Sequence, residues 1–323
     1  MKITDKLEAG RINLVHRIVF PPMATESSAD GLPTAKTIEH YRRIAENPYV
    51  GLIITEHSYI SLQGKASPHQ TSFASDEVID RQKILTERVH QTNRDVKIFA
   101  QINHAGMNTN STITGQELVA PYILMTGRGD ETHMLSEDEI HAIENQFADA
   151  ALRVRRSGYD GVEIHAAHGY LLNEFYSPIT NMRNDGYGFN SIENRMRIIT
   201  ETIRYVRSAV GDDFPIAVRF GGCDYSRFGS TVDDAVNGAR LIEKAGADLI
   251  DLSGGMCGPQ RRDNRHPGYF SDMSEAVKKN VSIPVVLTGG ITDIGQAETF
   301  LNEGKADLIG VGRALYRNPK WGM

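Results

Sequence analysis

Short β-branched runs alternate with amphipathic stretches along nearly the whole chain, and this alternation limits the possible folds more than any other feature. Eight runs read as strands: Ile18–Phe20, Leu52–Thr55, Lys97–Ile102, Gly161–Ile164, Ile216–Phe220, Leu249–Leu252, Val285–Thr288 and Leu308–Val311. Helical patterns lie between most of them, at 37–46, 79–92, 137–157, 192–209, 232–245 and 295–303. Ser136, followed by Glu137, Asp138 and Glu139, is a strong helix start. Strands covered on both faces and joined through helices make a parallel sheet. Eight such units predict closure into an α/β (β/α)₈ TIM barrel, one domain over residues 1–323. No GxGxxG follows the first strand, which argues against a dinucleotide-binding open sheet. Residues 103–136 are too long for a simple strand-to-helix connection and carry Gly106, Gly115, Pro121, Gly127 and Gly129, so they read as a loop excursion over the barrel mouth.

A net charge of −6 argues against a nucleic-acid groove, which needs a basic face. No apolar run approaches the roughly 20 residues that span a bilayer, and Met1 to Lys6 lacks a signal-peptide core. No membrane partner and a cytoplasmic location are therefore expected. Cys223 and Cys257 form no CxxC pair, so they read as ordinary thiols.

In such a barrel the functional residues follow the C-terminal ends of the strands. Those positions hold Pro21-Pro22-Met23-Ala24, Glu56-His57, Gln101 and His104, His165, His168 and Tyr170, Arg219, Ser253-Gly254-Gly255, Gly289-Gly290 and Gly312-Arg313. Glycines after strands seven and eight, with Arg313, suit a phosphate; the alternative is tight turns without a ligand. The Gln101 amide matches the imide edge of a flavin or pyrimidine. Arg219 either stabilises negative charge on such a ring or forms an ion pair with Glu163 or Asp251. His165 and His168 suit the grip of a carbonyl oxygen or oxyanion, or a metal completed by Glu56 or Asp251, or two satisfied core imidazoles. The HxxH spacing at a strand end matches helical zinc motifs poorly, and no metal is expected there. Tyr170 is either a proton donor or a packed pocket residue.

Together these residues resemble the Old Yellow Enzyme family of FMN-dependent NAD(P)H oxidoreductases. The resemblance runs from Arg17-Ile18-Val19-Phe20-Pro21-Pro22-Met23 to Gly312-Arg313-Ala314-Leu315. Its most specific stretch is His165-Ala166-Ala167-His168-Gly169-Tyr170-Leu171-Leu172-Asn173-Glu174-Phe175-Tyr176-Ser177-Pro178. Gln101-Ile102-Asn103-His104-Ala105-Gly106 is a second match. The resemblance implies FMN at the barrel mouth: Pro21, Pro22, Met23 and Ala24 against the ring, His57 beside it, Gln101 on the pyrimidine edge, His165 and Arg219 nearby, and Gly289, Gly290, Gly312 and Arg313 on the phosphate. It also implies ping-pong reduction of an electrophilic alkene by NADH or NADPH, with His165 and His168 on the substrate oxygen and Tyr170 as proton donor.

The chain departs from the family at three positions. Ala24 stands where one branch has a cysteine, Glu26 where that branch has a tyrosine, and Met107 where many relatives have arginine. Glu26 is accordingly a candidate substrate contact. The segment Met256–Phe270, with Arg261, Arg262, Arg265 and His266, reads either as a solvated basic face or as a contact for an anionic ligand. The cysteine-rich cluster of larger relatives is missing, so no iron–sulfur path is expected within this polypeptide. A flavin-binding redox protein without turnover and a metal-dependent barrel hydrolase are the competing readings. The sequence leaves the oligomeric state open, and a homo-oligomer is compatible with it.

Overall fold

A computed structural model describes residues 1–323. Eight parallel strands close into a ring: β1 (Ile18–Phe20), β2 (Val50–Tyr59), β3 (Lys97–Asn103), β4 (Gly161–Ala166), β5 (Ile216–Cys223), β6 (Leu249–Gly254), β7 (Val285–Leu287) and β8 (Leu308–Gly310). Closure comes from β1, which pairs with β8 through Ile18 and Ile309 and with β2 through Phe20 and Ile53. The helices are α1 (Ala35–Ala45), α2 (Ile79–Thr92), α3 (Glu137–Arg156), α4 (Ile192–Val210), α5 (Val232–Ala245), α6 (Ser271–Lys278), α7 (Ile294–Asn302) and α8 (Arg313–Arg317). The TIM barrel expected from the alternation is the fold observed. No helix is long and apolar enough to cross a membrane.

Local chemistry explains where the helices begin. Ser136 and Glu139 form a reciprocal capping box: the Glu139 N–H donates to Ser136 Oγ at 3.3 Å, and the Ser136 N–H donates to Glu139 Oε2 at 2.8 Å. From there α3 lays Ile140, Ile143, Phe147 and Val154 against the barrel wall. The excursion at 103–136 contains a short helix, Ser111–Thr114, and a parallel strand pair, Val119–Ala120 with His133–Met134.

The barrel interior is layered. Val19, Leu52, Ile54, Phe99, Ala217, Leu249, Val286 and Leu308 form one apolar layer with Leu7, Ile12 and Leu14 of an N-terminal hairpin. Side chains alternate along a strand, so the next inward positions toward the strand C-termini are Gln101, Arg219 and Asp251. There the lining turns polar, and the candidate site is built on it.

Candidate functional site

Strand β4 runs one residue past His165, so His165 is a strand residue held in the barrel wall, almost fully buried. The chain then turns sharply through His168, whose φ of +61° lies in the left-handed region. Asn173 Oδ1 accepts the Gly169 N–H at 2.8 Å and pins that turn. Tyr170 follows at the head of a short helix, Leu171–Tyr176. The three side chains meet: the His165 ring lies 5.0 Å from both the His168 and Tyr170 rings, near-perpendicular to each. The His168 Nε2 is 2.7 Å from Ser253 Oγ at the end of β6.

The surroundings fix the charge states. Burial holds both His165 and His168 well below the ordinary imidazole range, with Arg219 and neighbouring imidazoles adding to the effect. Burial, reinforced by Glu26, pushes the Tyr170 phenol up to about 12. At neutral pH the trio is therefore two neutral imidazoles and a protonated phenol.

His57, from β2, packs 5.5 Å from the Tyr170 ring and is pushed down to about 4 by burial. Its Nδ1 is 2.7 Å from Gln70 Nε2, which also donates to Asn103 Oδ1 at 2.7 Å. The loop after β1 is anchored by Glu56, which accepts from the Thr25 N–H at 2.6 Å and from Thr25 Oγ1 at 2.7 Å. Glu26 is exposed at the rim, with a φ of +48°, and accepts from Ser67 Oγ at 2.8 Å.

Gln101 and Arg219 are both nearly fully buried in the polar layer. Gln101 Nε2 donates to Glu163 Oε2 at 2.7 Å, and Arg219 Nη1 donates to Asp251 Oδ2 at 3.0 Å. The ion pair with Asp251 is thus real, yet it leaves Arg219 Nε without a partner, as is His165 Nδ1. Arg219 also lines a cavity of about 940 Å³ together with Pro21, Met23, Tyr269, Gly289, Gly290, Gly312 and Arg313. Gly289 and Gly290 take φ values of +122° and +70°, and a Cβ on either would meet the Tyr269 ring at 3.0 Å. Arg313 Nη2 reaches Tyr269 Oη at 3.3 Å. Unpartnered buried donors and a backbone cradle beside arginines fit FMN, with its polar pyrimidine edge and its phosphate.

A second cavity, of about 380 Å³, lies against His168 and Gly169 and is lined by Met107, Met125 and Met256. Pro22, Ala24, Glu26, His57, Gln101, His165 and Tyr170 line neither cavity. The basic segment after β6 divides in two. Arg261, Arg262 and Arg265 all line the larger cavity, but Arg261 is tied to Asp263 and Asp272 and stacks 3.7 Å from the Tyr225 ring centroid. Sequence reasoning gave no role to Ser253, Gln70, Asn103 or Ser67, because none sits in a recognisable spacing with its partner. The His165–His168 pair gathers no third ligand close enough for a metal ion; the trio of side chains that does so lies elsewhere.

The profile of the NADH:flavin oxidoreductase / NADH oxidase family matches residues 5–323. An NADH oxidase of Thermoanaerobacter brockii is 38% identical over 97% of the chain, which spans only 49% of that protein. An NADPH dehydrogenase of Halalkalibacterium halodurans is 36% identical, with 96% of this chain and 89% of the relative covered. The solved structure of the Old Yellow Enzyme homologue from Zymomonas mobilis superposes with a TM-score of 0.85 at 26% identity, covering 99% of this chain and 90% of the other. This chain belongs to the NADH:flavin oxidoreductase / NADH oxidase family, the FMN-dependent NAD(P)H oxidoreductases of Old Yellow Enzyme type.

Proposed function

We propose that the protein reduces activated C=C bonds of α,β-unsaturated carbonyl or nitro compounds at the expense of NAD(P)H, in two half-reactions that share one site. The observation that carries this reading is the set of two neutral imidazoles meeting a protonated phenol, with His168 lining the smaller cavity and His165 paired across the sheet with Arg219, which lines the cavity that fits FMN. FMN, when bound, supplies the hydride chemistry that links reductant to electrophile.

The protein's own residues supply the rest. His165 and His168 donate N–H hydrogen bonds to the substrate oxygen and stabilise the negative charge that builds there as the β-carbon is reduced. Because both are neutral, they polarise that oxygen without protonating it. Tyr170 then gives its phenolic proton to the α-carbon, a strong enough base to take it. Arg219 and Gln101 would hold the pyrimidine edge, and Gly289, Gly290, Gly312 and Arg313 would hold the phosphate. Pro21 and Met23 would flank the ring from the cavity wall, with Pro22, Ala24 and His57 outside that wall, and Glu26 would border the substrate from the rim.

The Tyr170→Phe variant tests the reading by stopped-flow measurement of each half-reaction. Reoxidation by 2-cyclohexenone is expected to slow about 10²-fold or more, with reduction by NADPH within about twofold of wild type. Equal slowing of both would remove Tyr170 as the proton donor. No turnover of enones or nitroalkenes by the wild-type, FMN-loaded protein would overturn the proposal.

A further inference from the structure

The outer surface of the barrel carries a cluster that the chemistry above does not use. His141 and Glu144 stand one turn apart on α3, and Glu201 faces them from the adjacent α4. One ligand atom from each lies within 4.8 Å of the other two. The His141 Nδ1 is 2.8 Å from Glu144 Oε2. Tyr187 Oη donates to Glu201 Oε2 at 2.7 Å, and Arg197 Nη1 stays 3.9 Å from Glu201 Oε1.

Glu144 makes this more than an acidic cluster. Its side chain is fully buried, and its Oε1 has no hydrogen-bond partner. A buried carboxylate oxygen without a donor is costly. The neighbouring carboxylate of Glu201 offers only more acceptors. A shared proton, His141 in its cationic form or a bound cation would offset this charge. Access is from one side, since the His141 side chain is 45% exposed.

We propose that His141, Glu144 and Glu201 form a divalent transition-metal site of the Zn²⁺ class that clips α3 to α4. One imidazole nitrogen and two carboxylate oxygens match a borderline ion better than Mg²⁺, which prefers oxygen and water. Ligand atoms about 3.3 Å apart suit bonds of about 2.0–2.2 Å around a tetrahedral ion. The present spacings, from 2.8 Å to within 4.8 Å, reach that with small side-chain shifts. Water completes the fourth position from the open side. Tyr187 orients Glu201, as partners of metal-bound carboxylates do. Binding to the folded state alone raises stability by mass action.

The test uses the FMN-loaded protein, treated with a chelator, desalted and titrated with ZnCl₂ by calorimetry. Its flavin spectrum reports that the barrel mouth is unaffected. His141→Ala and Glu201→Gln are measured in parallel; both positions are partly exposed, and alanine suits a helix. One Zn²⁺ per chain is expected, with affinity at least tenfold weaker in each variant and a Zn²⁺-dependent rise in Tm seen only in wild type. MgCl₂ at the same concentration should give no heat. Absence of binding, or equal binding in both variants, overturns the site and leaves a shared proton or the cationic form of His141 to offset the carboxylates. Equal affinity for Mg²⁺ overturns the assigned metal class.

Discussion

His168 is held in a conformation that an imidazole does not choose unaided. Its φ of +61° costs about 1 kcal/mol or more, and its ring nitrogen is fixed by a serine 85 residues away in sequence. The Ser253 hydroxyl at Nε2 holds the ring in place, as either donor or acceptor. Replacing Ser253 by Ala is expected to weaken binding of a phenol such as p-hydroxybenzaldehyde about tenfold or more, read from the charge-transfer band, while FMN content stays unchanged. Unaltered phenol affinity would free His168 from dependence on Ser253. The contrast also shows what the sequence can display. His165, His168 and Tyr170 are legible because one strand end and one turn carry all three. Ser253 is legible as a strand-end residue, but its contact with His168, like that of Gln70 with His57, becomes visible only when separate segments are brought together. The sequence does not decide between the two readings of Arg219: the pair with Asp251 forms, yet it leaves Nε unpartnered, so the pair does not exclude a role at the ring.

Among the elements, the turn after β7 shows why backbone shape matters to the site. Gly289 combines a φ of +122° with a Cβ position 3.0 Å from the Tyr269 ring. A side chain there strains the backbone and crowds the ring that also meets Arg313. Gly289→Ala is therefore expected to weaken FMN binding at least tenfold while leaving far-ultraviolet circular dichroism unchanged, as measured by fluorescence titration of the FMN-free protein. Retained affinity would remove this turn from the phosphate cradle. Helix limits are legible where capping residues mark them, as Thr231 and Gly246 mark α5; α2 also matches its sequence pattern residue for residue, although no side chain caps its start. The sequence pattern ends β5 at Phe220, since Gly221-Gly222 looks like a turn; the strand continues to Cys223, supported by the ladder to β6. The helix α6 was missed because Pro267-Gly268 and the preceding arginines read as loop.

For the molecule as a whole, eight local periods announced the barrel, but the polar layer inside it is a consequence of closure and has no local signature. That layer and the site above it bury ionisable groups of two kinds, and their pH dependences oppose each other. His57 is pushed down to about 4 and His104 to about 3, with His165 and His168 also well below their ordinary value. Their native pKa values are depressed, so the stability they contribute is present above about pH 6.5 and lost as pH falls toward 4. Burial raises Glu56 to about 7, and raises Glu163, Glu174 and Asp251. Their contribution is present below about pH 4.5 and lost as pH rises through the native values. Between about pH 4.5 and 6.5 the two trends offset each other. Above pH 6.5 only the carboxyl trend remains. Unfolding of the FMN-free protein in urea should therefore give a stability that is nearly flat from pH 5 to 6.5 and falls by about 1 kcal/mol or more per pH unit toward pH 8. Stability that instead stays level from pH 6.5 to 8 would mean that the buried carboxyls ionise in the native barrel as they do in the unfolded chain.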